Sequence, residues 1–148
     1  MNVLMVCLGN ICRSPMAEGI MQHLASDAGL DWTIDSAGTG SWHVGEAPDR
    51  RAVRTCHKNG IDISGQRARH FGQPDFRNFD LILTMDQSNL DDVRRLALND
   101  TDRSKINAIM TYADIKGDVV PDPYYDGRFD EAYDLIWKSC SAIIARKQ

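Results

Sequence analysis

Val3-Leu4-Met5-Val6 is an unbroken apolar run that leads into Cys7-Leu8-Gly9-Asn10-Ile11-Cys12-Arg13-Ser14, with Pro15 directly behind. A run this short reads as a strand buried on both faces. Pro15 suits the opening turn of a helix, where its missing N–H is not needed. Met16, Ala17, Ile20, Met21, Leu24 and Ala25 then recur at helical spacing, and Gly29 stands where a helix would stop. Strand, loop and helix in that order open a parallel α/β unit.

The rest of the chain repeats the alternation. Trp32-Thr33-Ile34 predicts a second strand, with Asp35-Ser36-Ala37-Gly38-Thr39-Gly40 opening a long loop to Pro48. Arg50 to Asn59 reads as a helix stopped at Gly60, and Phe79 to Thr84 as a third strand. Asp86 or Ser88 caps a helix running to about Leu98, and Ile106 to Met110 is a fourth strand. Phe129 to about Arg146 is a closing helix with Ala132, Leu135, Ile136, Ile143 and Ile144 inward. The prediction is one α/β domain over residues 1–148, a mainly parallel sheet with helices on both faces. In such sheets ligands sit at the carboxyl ends of the strands, near the reversal of strand order.

Composition narrows the function classes. With 148 residues, 43% hydrophobic and 26% charged, the chain has the make-up of a globular domain with one ordinary core. A net charge of -4 argues against a general nucleic-acid or membrane-surface binder. Asp accounts for 18 of the 21 acidic residues, which reads as turn and helix-start punctuation. Residues 1–6 carry no basic segment of the signal-peptide kind, and no stretch has the length of a membrane span. The expectation is a cytoplasmic protein with Cys7, Cys12, Cys56 and Cys140 as reduced thiols rather than zinc ligands. No metal or other cofactor is expected, because His23, His43, His57 and His70 are scattered without ligand spacing.

The pattern Cys-x5-Arg occurs twice, and context separates the copies. Cys140 to Arg146 lies in a predicted helix without glycine, where backbone N–H groups are consumed internally. Cys7 to Arg13 lies between a strand and a helix. There Leu8, Gly9, Asn10, Ile11 and Cys12 can turn successive N–H groups inward as an anion nest. Asn10 tolerates the left-handed region, and Gly9 permits close approach. The helix N-terminus points its positive end into the same space, and Arg13 adds a two-pronged grip on anion oxygens. The Gly-Lys-Ser/Thr of a nucleotide P-loop is missing, which argues against ATP. A thiol at the floor of such a cradle is favoured as thiolate and suited to attack a bound phosphorus in line. Ser14 is placed to donate a hydrogen bond to that sulfur.

Thiolate attack needs an acid for the departing oxygen. Asp122, between Pro121 and Pro123, is held out of a helix by its neighbours, and Asp126 is its competitor. Tyr124 and Tyr125 are expected to give that carboxyl a partly apolar wall favouring its protonated form. Trp42, in a Gly-containing loop, is expected to border the cleft, whereas Trp32 and Trp137 read as packing residues.

The segments around Cys7–Pro15, Asp35–Thr39 with Trp42, Phe79–Asp86 and Asp122–Tyr125 together resemble the low-molecular-weight protein tyrosine phosphatases. The likeness runs along essentially the whole chain. It implies a four-stranded parallel sheet, a doubly wound flavodoxin-like fold, and metal-independent hydrolysis through a phosphocysteine. On that resemblance Cys7 is the nucleophile, Arg13 the phosphate clamp and Asp122 the general acid. Asn10, Ser14 and Ser36 support the loop, and Trp42, Tyr124 and Tyr125 wall the cleft. Cys12 is the second thiol able to bridge to Cys7 under oxidation. Gln66 stands where many members carry a loop-supporting histidine; an amide hydrogen-bonds without titrating, so no histidine-dependent pH effect is expected. His70 lies four residues later.

The implied partner is a phosphotyrosine-bearing protein, with phosphate or other oxyanions as competitive ligands and the chain acting as a monomer or weak dimer. Two other readings compete. A thioredoxin-coupled arsenate reductase of similar fold needs relay cysteines, and Cys56 and Cys140 are isolated. A non-catalytic phosphotyrosine- or anion-binding module has no use for Cys7 together with Asp122.

Overall fold

The computed structural model describes residues 1–113, 117 and 119–147. Its centre is a four-stranded parallel sheet of β1 (Asn2–Cys7), β2 (Thr33–Gly38), β3 (Leu81–Thr84) and β4 (Ile106–Ala108), in the order β2-β1-β3-β4. Side-chain alternation along β1 divides the core. Val3, Met5 and Cys7 face one hydrophobic cluster, and Leu4 and Val6 face the other. The first cluster is closed by α1 (Arg13–Asp27), α2 (Arg50–Lys58) and α7 (Phe129–Lys147), which contribute Met16, Ile20, Ala52, Cys56, Ile136 and Ile143. The second is closed by Phe76 of α3 (Asp75–Asn78), and by Leu90 and Val93 of α4 (Gln87–Leu96). Helices thus cover both faces. The strand order reverses at β1, so the loop after β1 opens at the switch point.

Several predicted boundaries move. The second strand is Thr33–Gly38 rather than Trp32 to Ile34, so Asp35, Ser36, Ala37 and Gly38 lie in the sheet instead of a loop. They pair in register with Leu4, Met5, Val6 and Cys7, and this ladder overrides their weak strand propensity. Phe79 precedes β3 and packs into the second cluster. The fourth strand ends at Ala108, because Ile109 and Met110 turn into a short 3-10 segment, Ile109–Tyr112, to reach the first cluster. Helix α1 begins at Arg13, two residues before Pro15, which still lies in the first turn. Of the two candidate caps on α4, Asp86 is the one used, and the helix ends at Leu96 rather than near Leu98. Three short helices fall in stretches to which the sequence assigned no element: α3, α5 (Asp100–Ser104) and α6 (Pro123–Asp126).

Among the described residues no helix is long and apolar enough to cross a membrane. No group of three or more His, Cys, Asp or Glu side chains among them is arranged to hold a metal ion.

Candidate active site

The loop between β1 and α1 is shaped by one residue. Asn10, at φ 57°, is the only non-glycine with positive φ among the described residues. Asparagine tolerates that region because its short side chain can bond to nearby backbone, and here the bonding is complete. Its Oδ1 accepts the Arg69 backbone N–H at 3.0 Å, while Nδ2 donates to Ser14 Oγ at 2.8 Å and to Ser36 Oγ at 2.9 Å. The loop then lies against the end of β2. Thr39 N–H bonds the Cys7 carbonyl, and Gly40 N–H the Leu8 carbonyl, both at 2.9 Å. A Cβ on Gly38 would come within 2.8 Å of the Leu8 carbonyl oxygen, so the close approach requires glycine there.

Cys7 is 3% exposed at the end of β1, with its sulfur 2.9 Å from Ser14 Oγ. Since Ser14 Oγ already accepts from Asn10, its own proton is free to point at the sulfur. Arg13, 2% exposed, opens α1. One terminal nitrogen donates to Asp86 Oδ2 at 2.7 Å and to the Val120 carbonyl at 3.0 Å. The other lies 3.5 Å from Asp122 Oδ2. Burial alone would disfavour the charge on Arg13, but Cys7, Asp86 and Asp122 together hold its pKa above the ordinary value. Burial pushes Asp86 the other way, yet the bonds from Arg13 and Asn89 keep its carboxyl below the usual range. Asp86 serves two elements at once. Its Oδ1 caps α4 through the Asn89 N–H at 2.9 Å, and its Oδ2 holds the guanidinium.

Asp122 caps α6 by accepting the Tyr124 N–H at 3.1 Å, leaving its second oxygen facing Arg13. With Cys7, Leu8, Gly9, Ile11, Cys12, Arg13, Trp42, His43, Tyr124 and Tyr125 it lines one cavity of about 260 Å³. The two tyrosines meet edge to face at 5.1 Å, and the Arg51 guanidinium lies 5.6 Å from the Tyr124 ring centre. The expected apolar wall does not enclose Asp122: Tyr125 is 82% exposed, Tyr124 is also exposed, and the nearest charge is the Arg13 guanidinium. Trp42 is 72% exposed and packs on Gly40, where a Cβ would fall 1.8 Å from the indole. Buried thiol, buried guanidinium and carboxylate therefore share one mouth rimmed by three aromatic rings.

The family model for low molecular weight phosphotyrosine protein phosphatase matches residues 2–148. The chain belongs to that family. It is 41% identical to the low molecular weight protein-tyrosine-phosphatase YfkJ of Bacillus subtilis, over 99% of this chain and 96% of the relative. The crystal structure of YfkJ superposes with a TM-score of 0.93, covering 99% of this chain and 93% of that one. A protein tyrosine phosphatase from Entamoeba histolytica, solved with Hepes in its active site, is 34% identical with a TM-score of 0.94, covering 99% and 96%. A drosophila arginine phosphatase, DARP, is 37% identical with a TM-score of 0.94, covering 100% and 98%.

Other singled-out residues lie around this centre. Ser36 stands behind the loop and donates a hydrogen bond to Glu18 Oε1 at 2.7 Å. Gln66 does not touch the Asn10–Ser14–Ser36 chain; its amide nitrogen donates to the Pro15 carbonyl at 3.1 Å, steadying the first turn of α1. His70 bonds the Thr39 carbonyl at 3.1 Å. Cys140 is buried in α7, and Arg146 lies over the Tyr112 ring, so the second Cys-x5-Arg forms no cradle. Sequence reasoning missed Asp86 as the Arg13 partner, though an aspartate just beyond a strand's carboxyl end was a usable signal. It also missed His43, which lines the cavity with Nδ1 2.6 Å from Glu46, and Glu18.

Proposed function

We propose that this chain hydrolyses phosphotyrosine in proteins, and small aryl phosphates in vitro, through a phosphocysteine on Cys7. The observation that carries the reading is the convergence of Cys7, Arg13 and Asp122 on one cavity whose rim is aromatic. The phosphate dianion sits in the nest of loop amides, with Arg13 holding its equatorial oxygens. The Cys7 thiolate attacks phosphorus as the ester P–O bond breaks, and Asp122 in its acid form gives the departing phenolate a proton. Water, deprotonated by the same carboxylate, then displaces the sulfur and releases phosphate. Ser14 Oγ–H steadies the sulfur as it leaves. Neither the arsenate reductase nor the inert binding module is favoured by the family match.

The test is rapid-quench turnover of a phosphotyrosine peptide in EDTA, with a phosphoarginine peptide in parallel. The expected result is a burst of phosphate on Cys7 and preference for the aryl ester. Asp122→Ala should lose roughly 10²–10³-fold in turnover of a phenyl ester, and much less with an activated nitrophenyl leaving group. No trapped phosphate, faster phosphoarginine cleavage, or an equal loss for both leaving groups would each overturn it.

Oxidation extends the same reading. Cys12, 4% exposed, lines the cavity with Cys7. Burial pushes its thiol pKa up, and Asp49, Cys7 and Asp122 add to the effect, so it stays protonated beside the reactive sulfur. Peroxide oxidises the Cys7 thiolate to a sulfenic acid with reduction of the O–O bond. Cys12 then displaces water to close a disulfide and protect Cys7 from further oxidation. Mild peroxide should yield a Cys7–Cys12 cross-link by mass spectrometry and activity restored by dithiothreitol. Irreversible loss, with Cys7 as sulfinic acid, is the contrary outcome. The place of action in this reading is the cytoplasm, with a phosphotyrosine protein as partner and oxyanions as competitors.

A further inference from the structure

An unbroken hydrogen-bonded chain leaves the nucleophile's sulfur and ends on a carboxyl group that the reaction described above does not use. It runs from Cys7 Sγ to Ser14 Oγ at 2.9 Å, from Ser14 Oγ to Asn10 Nδ2 at 2.8 Å, from Asn10 Nδ2 to Ser36 Oγ at 2.9 Å, and from Ser36 Oγ to Glu18 Oε1 at 2.7 Å. The Asn10 amide sets the donor directions toward both serines. Asn10 Oδ1 is occupied by the Arg69 N–H, so its two amide protons go to the two serines. Ser36 then gives its single proton to Glu18, and Ser14 gives its own to Cys7 whenever that sulfur is a thiolate, which can only accept.

We infer that Glu18 is a positioning residue whose ionised carboxylate anchors this chain and thereby controls how firmly Ser14 donates to the Cys7 sulfur. A carboxylate acceptor makes the Ser36 bond charge-assisted and so fixes Ser36 Oγ where it receives the Asn10 amide, which holds that amide in place against Ser14. A protonated Glu18 offers a weaker carbonyl acceptor and releases that tension. The inference rests on Cys7 being the reactive thiolate.

The surroundings make this a change available near neutrality. Burial raises the Glu18 pKa to about 7, opposed by the Ser36 bond, reinforced by Asp35 and opposed again by Arg69. Arg69 is divided between Asp35 at 3.0 Å and Asp75 at 3.1 Å, so little of its charge is left for Glu18. Gln22, one turn along α1, is neutral, at 3.5 Å. Where α1 meets the segment before β3, the residues nearest Gly19 are Ile61, Ile63 and Gln66, none of them charged.

The experiment measures alkylation of Cys7 by iodoacetamide, localised by mass spectrometry, across pH in wild type, Glu18→Gln, Ser36→Ala and the double variant. Glutamine mimics the protonated state. The ratio of Glu18→Gln to wild-type rates should be near one below about pH 6 and rise to about three- to tenfold above about pH 8, because a less firmly bonded thiolate is more nucleophilic. In the Ser36→Ala background the same substitution should add no pH-dependent change. Should Glu18→Gln unfold, Ser36→Ala alone decides, since it should remove the wild-type inflection near pH 7. A pH-independent ratio would reduce Glu18 to a packing role. A pH-dependent effect that survives Ser36→Ala would show its charge acting through space. No substrate is present, so an unreactive Cys7 would count against the phosphatase reading itself, whereas a reactive Cys7 with a flat ratio counts only against Glu18.

Discussion

Cys7→Ser lowers phosphotyrosine turnover by roughly 10⁴–10⁶-fold, the scale seen when a catalytic nucleophile is removed, while inorganic phosphate still binds. The reason lies in what surrounds the sulfur. Its one hydrogen-bond partner among the described residues is Ser14 Oγ, a donor rather than a base. A serine hydroxyl needs a neighbouring base to become a nucleophile, as in Ser–His pairs, and none touches this position. A thiol needs only a positive field, which the loop amides, the α1 N-terminus and Arg13 provide. The substitution is nearly isosteric at a site 3% exposed, so β1 and the loop should keep their shape. Stopped turnover with phosphate affinity within a few-fold of wild type, by calorimetry, is the expected pair of results. Turnover within tenfold of wild type would end the phosphocysteine mechanism. Loss of phosphate binding together with a collapsed melting transition would make Cys7 a structural residue.

The parts of the site that were legible in the sequence are those held by local backbone. Cys7, Asn10, Arg13 and Ser14 fall within a single strand–loop–helix unit, and the chemistry of each residue type suffices to place it. The cores of β1, α1 and α7 were legible because their apolar periodicity has no competing explanation. What stayed hidden depends on partners far apart in the chain. The second half of β2 reads as loop until β1 is laid beside it, since Asp35, Ser36 and Gly38 are poor strand formers paired only by tertiary context. Asp86 reads as a helix cap, and is one; its bond to Arg13, 73 residues away, comes from the β1–β3 pairing. Glu18 drew no reading of its own, although it sits one helical turn after Ser14 on α1. The tyrosine wall around Asp122 failed for the opposite reason: α6, which Asp122 caps, carries Tyr125 outward into solvent.

Arg13→Lys separates charge from shape at the centre of the site. The lysine keeps one positive charge but loses the planar fork: with its one nitrogen held at Asp86 and the Val120 carbonyl, it has no second nitrogen to turn toward a phosphate oxygen. With Asp86 held as a carboxylate below its usual range, the ammonium will be drawn to Asp86 and away from the substrate. The expected loss is about 10²–10³-fold in kcat/KM, the scale of removing one donor from a developing anion, with kcat falling more than KM rises because the equatorial oxygens spread most in the transition state. Thermal stability should change little, since the half-buried Asp86 carboxylate keeps a cation. Arg13→Ala is the informative contrast: it leaves the half-buried Asp86 without its cation, and the loss should fall below the roughly 3–5 kcal/mol of breaking a fully buried ion pair because water reaches the carboxylate. A melting temperature near wild type for lysine and well below it for alanine, with catalysis crippled in both, assigns Arg13 a double duty in folding and phosphate clamping. Near-native kcat/KM for lysine would mean that charge alone suffices and that the fork geometry has no catalytic part.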